Sequence, residues 1–129
     1  MNMKHQIATD KNQSSRLLSA GVKAETADMS IDKDTDKLYL SAYQNRVDKA
    51  HEVPAWSLSA LIGLLPESIT NKDGVRWLRI RPTGWLCFVD YYADNLSPAG
   101  VSDKDLVEAT VQMIELLAAN GYQLNQTEI

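Results

Sequence analysis

Residues 75–92, VRWLRIRPTGWLCFVDYY, constrain the fold more than any other part of this chain. Apolar and polar side chains alternate on both sides of Pro82-Thr83-Gly84, as they do in two strands joined by a tight turn. A type I turn with Pro82 at its second position and Gly84 in a bulge predicts a three-residue hairpin loop. We therefore expect an antiparallel β-hairpin at the centre of a short sheet.

The loop length decides which side chains share a face of the hairpin, because side chains alternate along a strand. With a three-residue loop, Arg81 lies opposite Trp85. One face then carries an apolar core set closed by an opposite-charge pair: Ile80 opposite Leu86, Leu78 opposite Phe88, and Arg76 opposite Asp90. The other face carries aromatic and arginine side chains, and its predicted binding residues are Trp77, Arg79, Arg81, Trp85 and Tyr91.

Three interpretations of this second face stay open. The one we favour is structural: Trp77 and Val89 pack under the N-terminal helices, with arginine stems lying over ring faces. The second is protein recognition through Trp, Tyr and Arg anchors. The third is a site for single-stranded nucleic acid, in which aromatic rings stack on bases and arginines neutralise phosphates.

Charge limits the partners of the chain. The net charge is −4 and the pI is about 5.1, which argues against general nucleic-acid coating and against attraction to an anionic membrane. Positive charge is concentrated in the hairpin, whereas residues 93–129 are acidic. Any anion-binding role is therefore expected to be local to the hairpin.

Three helices are predicted from capping residues and apolar spacing. They are a short helix capped by Ser14 or Ser15 and ended by Gly21; a helix at 57–65 capped by Ser57 and stopped by Pro66; and a helix at 103–119 opened by a capping box of Ser102 and Asp105 and ended by Asn120-Gly121. For 37–50 a helix is favoured over a strand, and 30–37 is expected to be a solvated loop.

The expected fold is α+β: a short antiparallel hairpin-based sheet, packed by the long C-terminal helix and by short N-terminal helices. Residues 1–13 are expected to be a flexible leader, 14–124 a single domain and 125–129 a C-terminal tail. The leader has no apolar core of a secretory signal, and no apolar run reaches the length of a membrane span.

Signals for catalysis and metal binding are absent or incomplete. Cys87 is the single cysteine, which excludes an intrachain disulfide and a cysteine-rich zinc site and favours the cytoplasm. A nucleophilic pair of Cys87 with His51 is the least favoured hypothesis. The acidic alternation at 32–36 fails as a calcium loop, because Lys37 stands where glycine is needed and Tyr43 where glutamate is needed. No metal or cofactor is predicted.

Three segments carry a resemblance: SSRLLSAGVKAETADM at 14–29, VPAWSLSALIGLLP at 53–66 and DLVEATVQMIELLAANGYQL at 105–124. Together they resemble a family of small uncharacterised proteins of Bacteroides-type gut bacteria and their prophages and mobile elements. The resemblance implies a mobile-element context and assigns no activity and no functional residue.

The resulting functional hypothesis is a non-enzymatic, cytoplasmic accessory protein of a phage or mobile element that binds another protein, or itself, through the arginine and aromatic face of the hairpin. A small nucleic-acid-binding module using the same face is the first alternative. A small enzyme using Cys87 is the second.

Overall fold

The structure, a computed structural model, describes residues 6–47, 49–93 and 96–126, with the backbone alone at 96–99. Within these residues the chain forms two antiparallel sheets and three α-helices, so the predicted α+β class is confirmed. The helices are α1 (Lys11–Ser19), α2 (Leu58–Leu64) and α3 (Leu106–Ala119). The strands are β1 (Met29–Asp32), β2 (Leu38–Tyr39), β3 (Glu52–Ala55), β4 (Ser68–Asn71), β5 (Gly74–Thr83), β6 (Leu86–Ala93) and β7 (Leu96–Asp103).

The first sheet has the strand order β2-β1-β3 and occupies a region where sequence favoured a loop and a helix. The loop predicted at 30–37 is wrong in part, because Ser30 and Ile31 are buried strand residues. The helix predicted at 37–50 is wrong as well: β2 is followed by short 3-10 turns at Tyr43–Asn45 and Lys49–His51. The physical reason is that Leu40 and Val47, which suggested an apolar helical stripe, are 76% and 102% exposed and face no core.

The N-terminal segment belongs to the fold from residue 6 onward. Helix α1 begins at Lys11 rather than after Ser14, since the Asp10 carboxylate accepts the Gln13 backbone N–H and the Gln13 side chain accepts the Asp10 N–H. This reciprocal capping satisfies two helix donors that would otherwise lack partners. The boundary of the predicted leader at residue 13 is therefore wrong, and residues 1–5 lie outside the described residues.

Trp56, which directly follows β3, belongs to the hydrophobic core. It is fully buried, and its indole N–H donates to the Thr26 hydroxyl at 2.8 Å. Its backbone N–H and carbonyl both bond to Thr9, at 3.0 and 2.9 Å, which ties the N-terminal segment to β3. Every polar group of this buried tryptophan thus has a partner, as burial requires.

Helix α2 starts as predicted, because the Ser57 hydroxyl accepts the Ala60 backbone N–H. The helix ends before Pro66, and the C-terminal segment returns to it: the backbone N–H of Asn125 donates to the Leu64 carbonyl at 2.9 Å. Residue 125, predicted to begin a tail, is therefore hydrogen-bonded to the domain. Residues 127–129 of that predicted tail lie outside the described residues.

The second sheet has the order β4-β5-β6-β7 and contains the predicted hairpin, but in another register. Thr83 pairs with Leu86, so the loop has two residues, Gly84 and Trp85, and Gly84 has φ +60°. A two-residue hairpin turn with positive φ at its first position has type II′ character, which suits the twist of the strands better than a type I turn. The predicted three-residue loop, and the pairing of Arg76 with Asp90, are therefore wrong.

Helix α3 packs on one face of this sheet, across β6 and β7. It begins at Leu106 with Asp105 as N-cap, since the Asp105 carboxylate accepts the Val107 N–H at 2.7 Å. Ser102, predicted to open the helix, belongs to β7 instead. The predicted end is confirmed, with Gly121 at φ +79° directly after Asn120.

Helix α3 is held to α1 by a charged cluster on its outer side. The Arg16 guanidinium bonds to Glu108 at 2.8 Å and to Glu115 at 2.6 Å. These hydrogen bonds from Arg16, helped by Gln13 and Gln112, lower the pKa of Glu108 to about 2. The same two carboxylates raise the pKa of Arg16 above its ordinary value.

Candidate binding surface on the open sheet face

The face of the second sheet opposite α3 is called the open face, and it presents the larger part of the hairpin's aromatic and charged side chains. Its members from the two central strands are Val75, Trp77, Arg79, Arg81 and Thr83 of β5 and Leu86, Phe88, Asp90 and Tyr92 of β6. Trp77 is 55% exposed and Val75 is 44% exposed. The interpretation that Trp77 packs under the N-terminal helices is therefore wrong.

The register explains which side chains reach the open face. Because Arg79 pairs with Asp90 and Arg81 with Phe88, odd-numbered residues of β5 share a face with even-numbered residues of β6. Val89, expected on the same face as Trp77, is instead fully buried on the core face. The same register removes Phe88 from the core face, where the three-residue loop had placed it.

Tyr91 was predicted as a binding residue, and the structure contradicts this. Its side chain is fully buried on the core face, where the hydroxyl donates to the Pro66 carbonyl at 2.7 Å. Burial raises the pKa of the Tyr91 phenol well above its ordinary value, so the group stays neutral and structural.

Asp90 lies at the centre of the open face and is 3% exposed. Arg79 donates to it through two nitrogens: Nε reaches one carboxylate oxygen at 3.0 Å and an Nη reaches the other at 3.1 Å. This bidentate geometry is the strongest that an arginine and a carboxylate form. The hydrogen bonds that Arg79 donates to Asp90 raise the pKa of Arg79 above its ordinary value, so the guanidinium keeps its charge.

Arg81 is the second arginine on the open face, and it is held less firmly. Its bond to Asp90 is 3.4 Å long, while its side chain is 43% exposed. The guanidinium lies 5.4 Å from the centre of the Phe88 ring, and that of Arg79 lies 4.2 Å from the centre of the Tyr92 ring. Both arginines thus rest on aromatic rings, which restricts their rotamers and keeps their charge in place.

Gly100 of β7 makes the position of Asp90 possible. It pairs with Asp90, and a Cβ at this glycine would come within 2.5 Å of the Asp90 Cβ and 2.9 Å of the Val89 carbonyl oxygen. Any larger residue would therefore push β7 away from β6 at the point where the carboxylate is buried.

Trp85 lies in the hairpin turn itself and is 83% exposed. The structure thus brings three of the predicted residues, Trp77, Arg79 and Arg81, onto the open face and places Trp85 at its end. Sequence reasoning missed Asp90, Phe88 and Tyr92 as members of this face. The signal that could have found Asp90 was the charge pairing with Arg79 that a two-residue loop creates.

The other candidates from sequence do not assemble into a site. Cys87 lies in β6 of the second sheet, whereas His51 lies directly before β3 of the first sheet. The Asp32 carboxylate is used by the backbone N–H groups of Asp34 and Thr35, which it holds in a turn. Within the described part of the chain, no three His, Cys, Asp or Glu side chains gather in a way that could hold a metal ion.

Comparison of the chain with protein-family models, with curated proteins and with solved structures gave no match. None of the described helices is both long enough and apolar enough to span a bilayer.

Proposed function

We propose that this chain acts by binding another protein through the open face. The observation that carries the proposal is the exposure of Trp77 and Trp85 beside two arginines whose positions are fixed by Asp90 and by aromatic rings. Tryptophan and arginine are the residue types that contribute most to protein interfaces. Side chains that are already held in place lose less entropy on binding, which favours affinity.

A second protein is favoured over a second copy of this chain. In a two-fold symmetric dimer formed by the open face, the same patch would meet itself, so arginines would approach arginines. Like charges that face each other across an interface are unfavourable. Self-association through the open face is therefore the less favoured form of the proposal. The resemblance to mobile-element proteins supports an accessory role in that setting.

Single-stranded nucleic acid is the alternative occupant, because exposed tryptophans beside arginines also suit base stacking. Asp90 argues against it, since this buried carboxylate neutralises one of the two arginines. The chain also carries a net charge of −4, which repels a phosphate backbone as a whole. Oligonucleotide binding that weakens steeply with salt would favour this alternative over a protein partner.

The proposal is tested with a double variant of the exposed tryptophans, Trp77→Ser with Trp85→Ser. A protein captured by the tagged full-length chain is identified, purified and titrated against the wild type and the variant. The double variant is expected to weaken the dissociation constant at least about tenfold, the effect of losing one or two hot-spot residues.

The matched control is Leu40→Ser with Val47→Ser, which removes two exposed apolar side chains that do not belong to the second sheet. This control is expected to bind like the wild type. Equal binding by the tryptophan variant, or a strictly monomeric chain that captures no partner, would contradict the proposal.

A further inference from the structure

Among the described side chains of β5 and β6 on the open face, Arg79, Arg81 and Asp90 are the charged ones, and Arg81 leaves one positive charge unbalanced. Arg79 and Asp90 form a complete bidentate ion pair, so their charges cancel. Arg81 reaches the same carboxylate through a single 3.4 Å contact and adds a second cation to an anion already satisfied. The three ionised groups therefore sum to one positive charge on a chain that is acidic overall.

Arg81 also has unused hydrogen-bonding capacity. A guanidinium carries five N–H donors, and the contact with Asp90 uses one of them. Among the described residues the Arg81 Nε has no acceptor, although it is closed off from solvent. Because this Nε–H is closed off, an acceptor from outside has to be bound by the Nη groups, whose four N–H donors give one to Asp90 and leave three.

The surroundings of Arg81 match a carboxylate flanked by apolar groups. The guanidinium lies over the Phe88 ring, and the exposed ring of Trp77 lies further along the same strand. Apolar neighbours reduce the competition from water for a charged hydrogen bond. The planar fork of an arginine fits a carboxylate through two parallel N–H bonds.

We infer that the open face binds an acidic protein segment, one Asp or Glu of which is held by Arg81 while an apolar residue four positions along the segment packs on Trp77. The inference rests on the proposed function and names the chemistry of the partner. A single carboxylate balances the single surplus charge. A nucleic acid would bring several phosphates to a face whose described side chains on β5 and β6 offer one uncompensated cation, and Asp90 would repel them.

The test uses two capped peptides that differ in one group, acetyl-Leu-Ser-Ser-Ser-Glu-amide and acetyl-Leu-Ser-Ser-Ser-Gln-amide, whose apolar and polar ends have the spacing of Trp77 and Arg81 along β5. Each is titrated into the ¹⁵N-labelled full chain up to about 10 mM, since contacts of this size give dissociation constants on the order of 1 mM. The Nε–H signals of Arg79 and Arg81 and the indole N–H signal of Trp77 report binding. The glutamate peptide is expected to bind about fivefold more tightly than the glutamine peptide.

The variant Arg81→Gln is expected to abolish this fivefold preference, and Arg81→Lys to retain part of it because the charge remains while the fork is lost. The matched control is Arg76→Gln, which removes an arginine of the same strand on its opposite face and is expected to keep the preference. Circular dichroism of each variant confirms that it is folded.

Equal binding of the two peptides, a preference that survives in Arg81→Gln, or shifts confined to residues off the open face would each overturn the inference. Tighter binding of an octathymidylate than of the glutamate peptide would overturn it too. The inference can fail while the proposed function stands: a protein partner that is lost with the tryptophan variant but retained by Arg81→Gln would support the function and refute the binding of a carboxylate by Arg81.

Discussion

The two faces of the second sheet are built from the same strands, but α3 covers one of them and not the other. On the core face, Val89 and Tyr91 are fully buried under α3. On the open face, their neighbour Asp90 is also buried, but under arginine side chains rather than under a helix. Burial by a helix excludes water with apolar surface, whereas burial by arginines depends on charge pairing.

The difference shows that side-chain size does not decide which residue lies inside. Trp77 is larger than Val89, yet the tryptophan is half exposed and the valine is fully buried. What decides is the face to which strand alternation assigns each residue, and only one face receives α3. The large apolar residues left on the other face are then available for a partner.

The largest difference between the two faces is expected when one charged residue is placed on each face in turn. Val89→Asp puts an unpaired carboxylate into the core and is expected to cost more than about 4 kcal/mol, enough to prevent cooperative folding. Val75→Asp makes the same change on the open face and is expected to cost less than about 1 kcal/mol. Urea unfolding followed by circular dichroism measures both, and similar losses would show that the two faces are not distinct.

A smaller but more specific disruption is Gly100→Ala. A strand glycine replaced by alanine ordinarily gains stability, but here the new Cβ would meet Asp90 and the Val89 carbonyl. We expect a loss of about 2 kcal/mol in the free energy of unfolding, because β7 has to move. Ser102→Ala, an exposed site on the same face of β7, is the control and should change stability by less than about 0.5 kcal/mol.

The ion pairs that hold α3 to α1 are tested by measuring stability at different pH values. The Glu108 carboxyl has a pKa of about 2 in the fold against 4.5 for the ordinary group, so its contribution is fully present above pH 4.5 and is lost as pH falls toward 2. Glu108→Gln is expected to cost about 2 kcal/mol at pH 7 and almost nothing at pH 2. Urea unfolding at several pH values measures this difference, with the exposed Glu25→Gln as a control that shows little change.

The variant with the smallest expected effect on stability compares exposed and buried tryptophans by fluorescence. The double variant Trp77→Phe with Trp85→Phe leaves Trp56, which is fully buried, as the remaining tryptophan. Iodide is expected to quench the wild-type emission strongly and the variant emission weakly, while stability changes by less than about 1 kcal/mol. Strong quenching of the variant would mean that Trp56 is accessible and the hydrophobic core around it is open.

Sequence predicted the elements whose local signals agree with their tertiary packing. The α2 start at Ser57 and the α3 end at Asn120-Gly121 are capping signals that act within a few residues, and both are confirmed. The helix predicted at 37–50 is wrong because Leu40 and Val47 have helical spacing but are exposed and do not pack on the core. Helical spacing of apolar residues gives a stable helix only when those residues pack against another part of the protein.

The candidate surface was predicted only in part, because the alternation of side chains is local to one strand whereas the pairing of strands is not. Alternation alone places Trp77, Arg79 and Arg81 on one face of β5, whatever the partner strand does. The residues opposite them depend on the turn, and the two-residue loop at Gly84 exchanged Tyr91 for Asp90. The narrow space at Gly100 that admits Asp90 comes from a third strand, which no local pattern in the hairpin could reveal.

The bonds from Arg16 to Glu108 and Glu115 span 92 to 99 residues of sequence, and this separation sets an order of folding events. The pairing of β5 with β6 is local in sequence and can form early during synthesis, whereas α3 and α1 meet only after residue 115 has been made. Until then the apolar side of the hairpin, with Val89 and Tyr91, is bare in the nascent chain. The interval before α3 docks is therefore when this chain is most prone to aggregate or to require a chaperone.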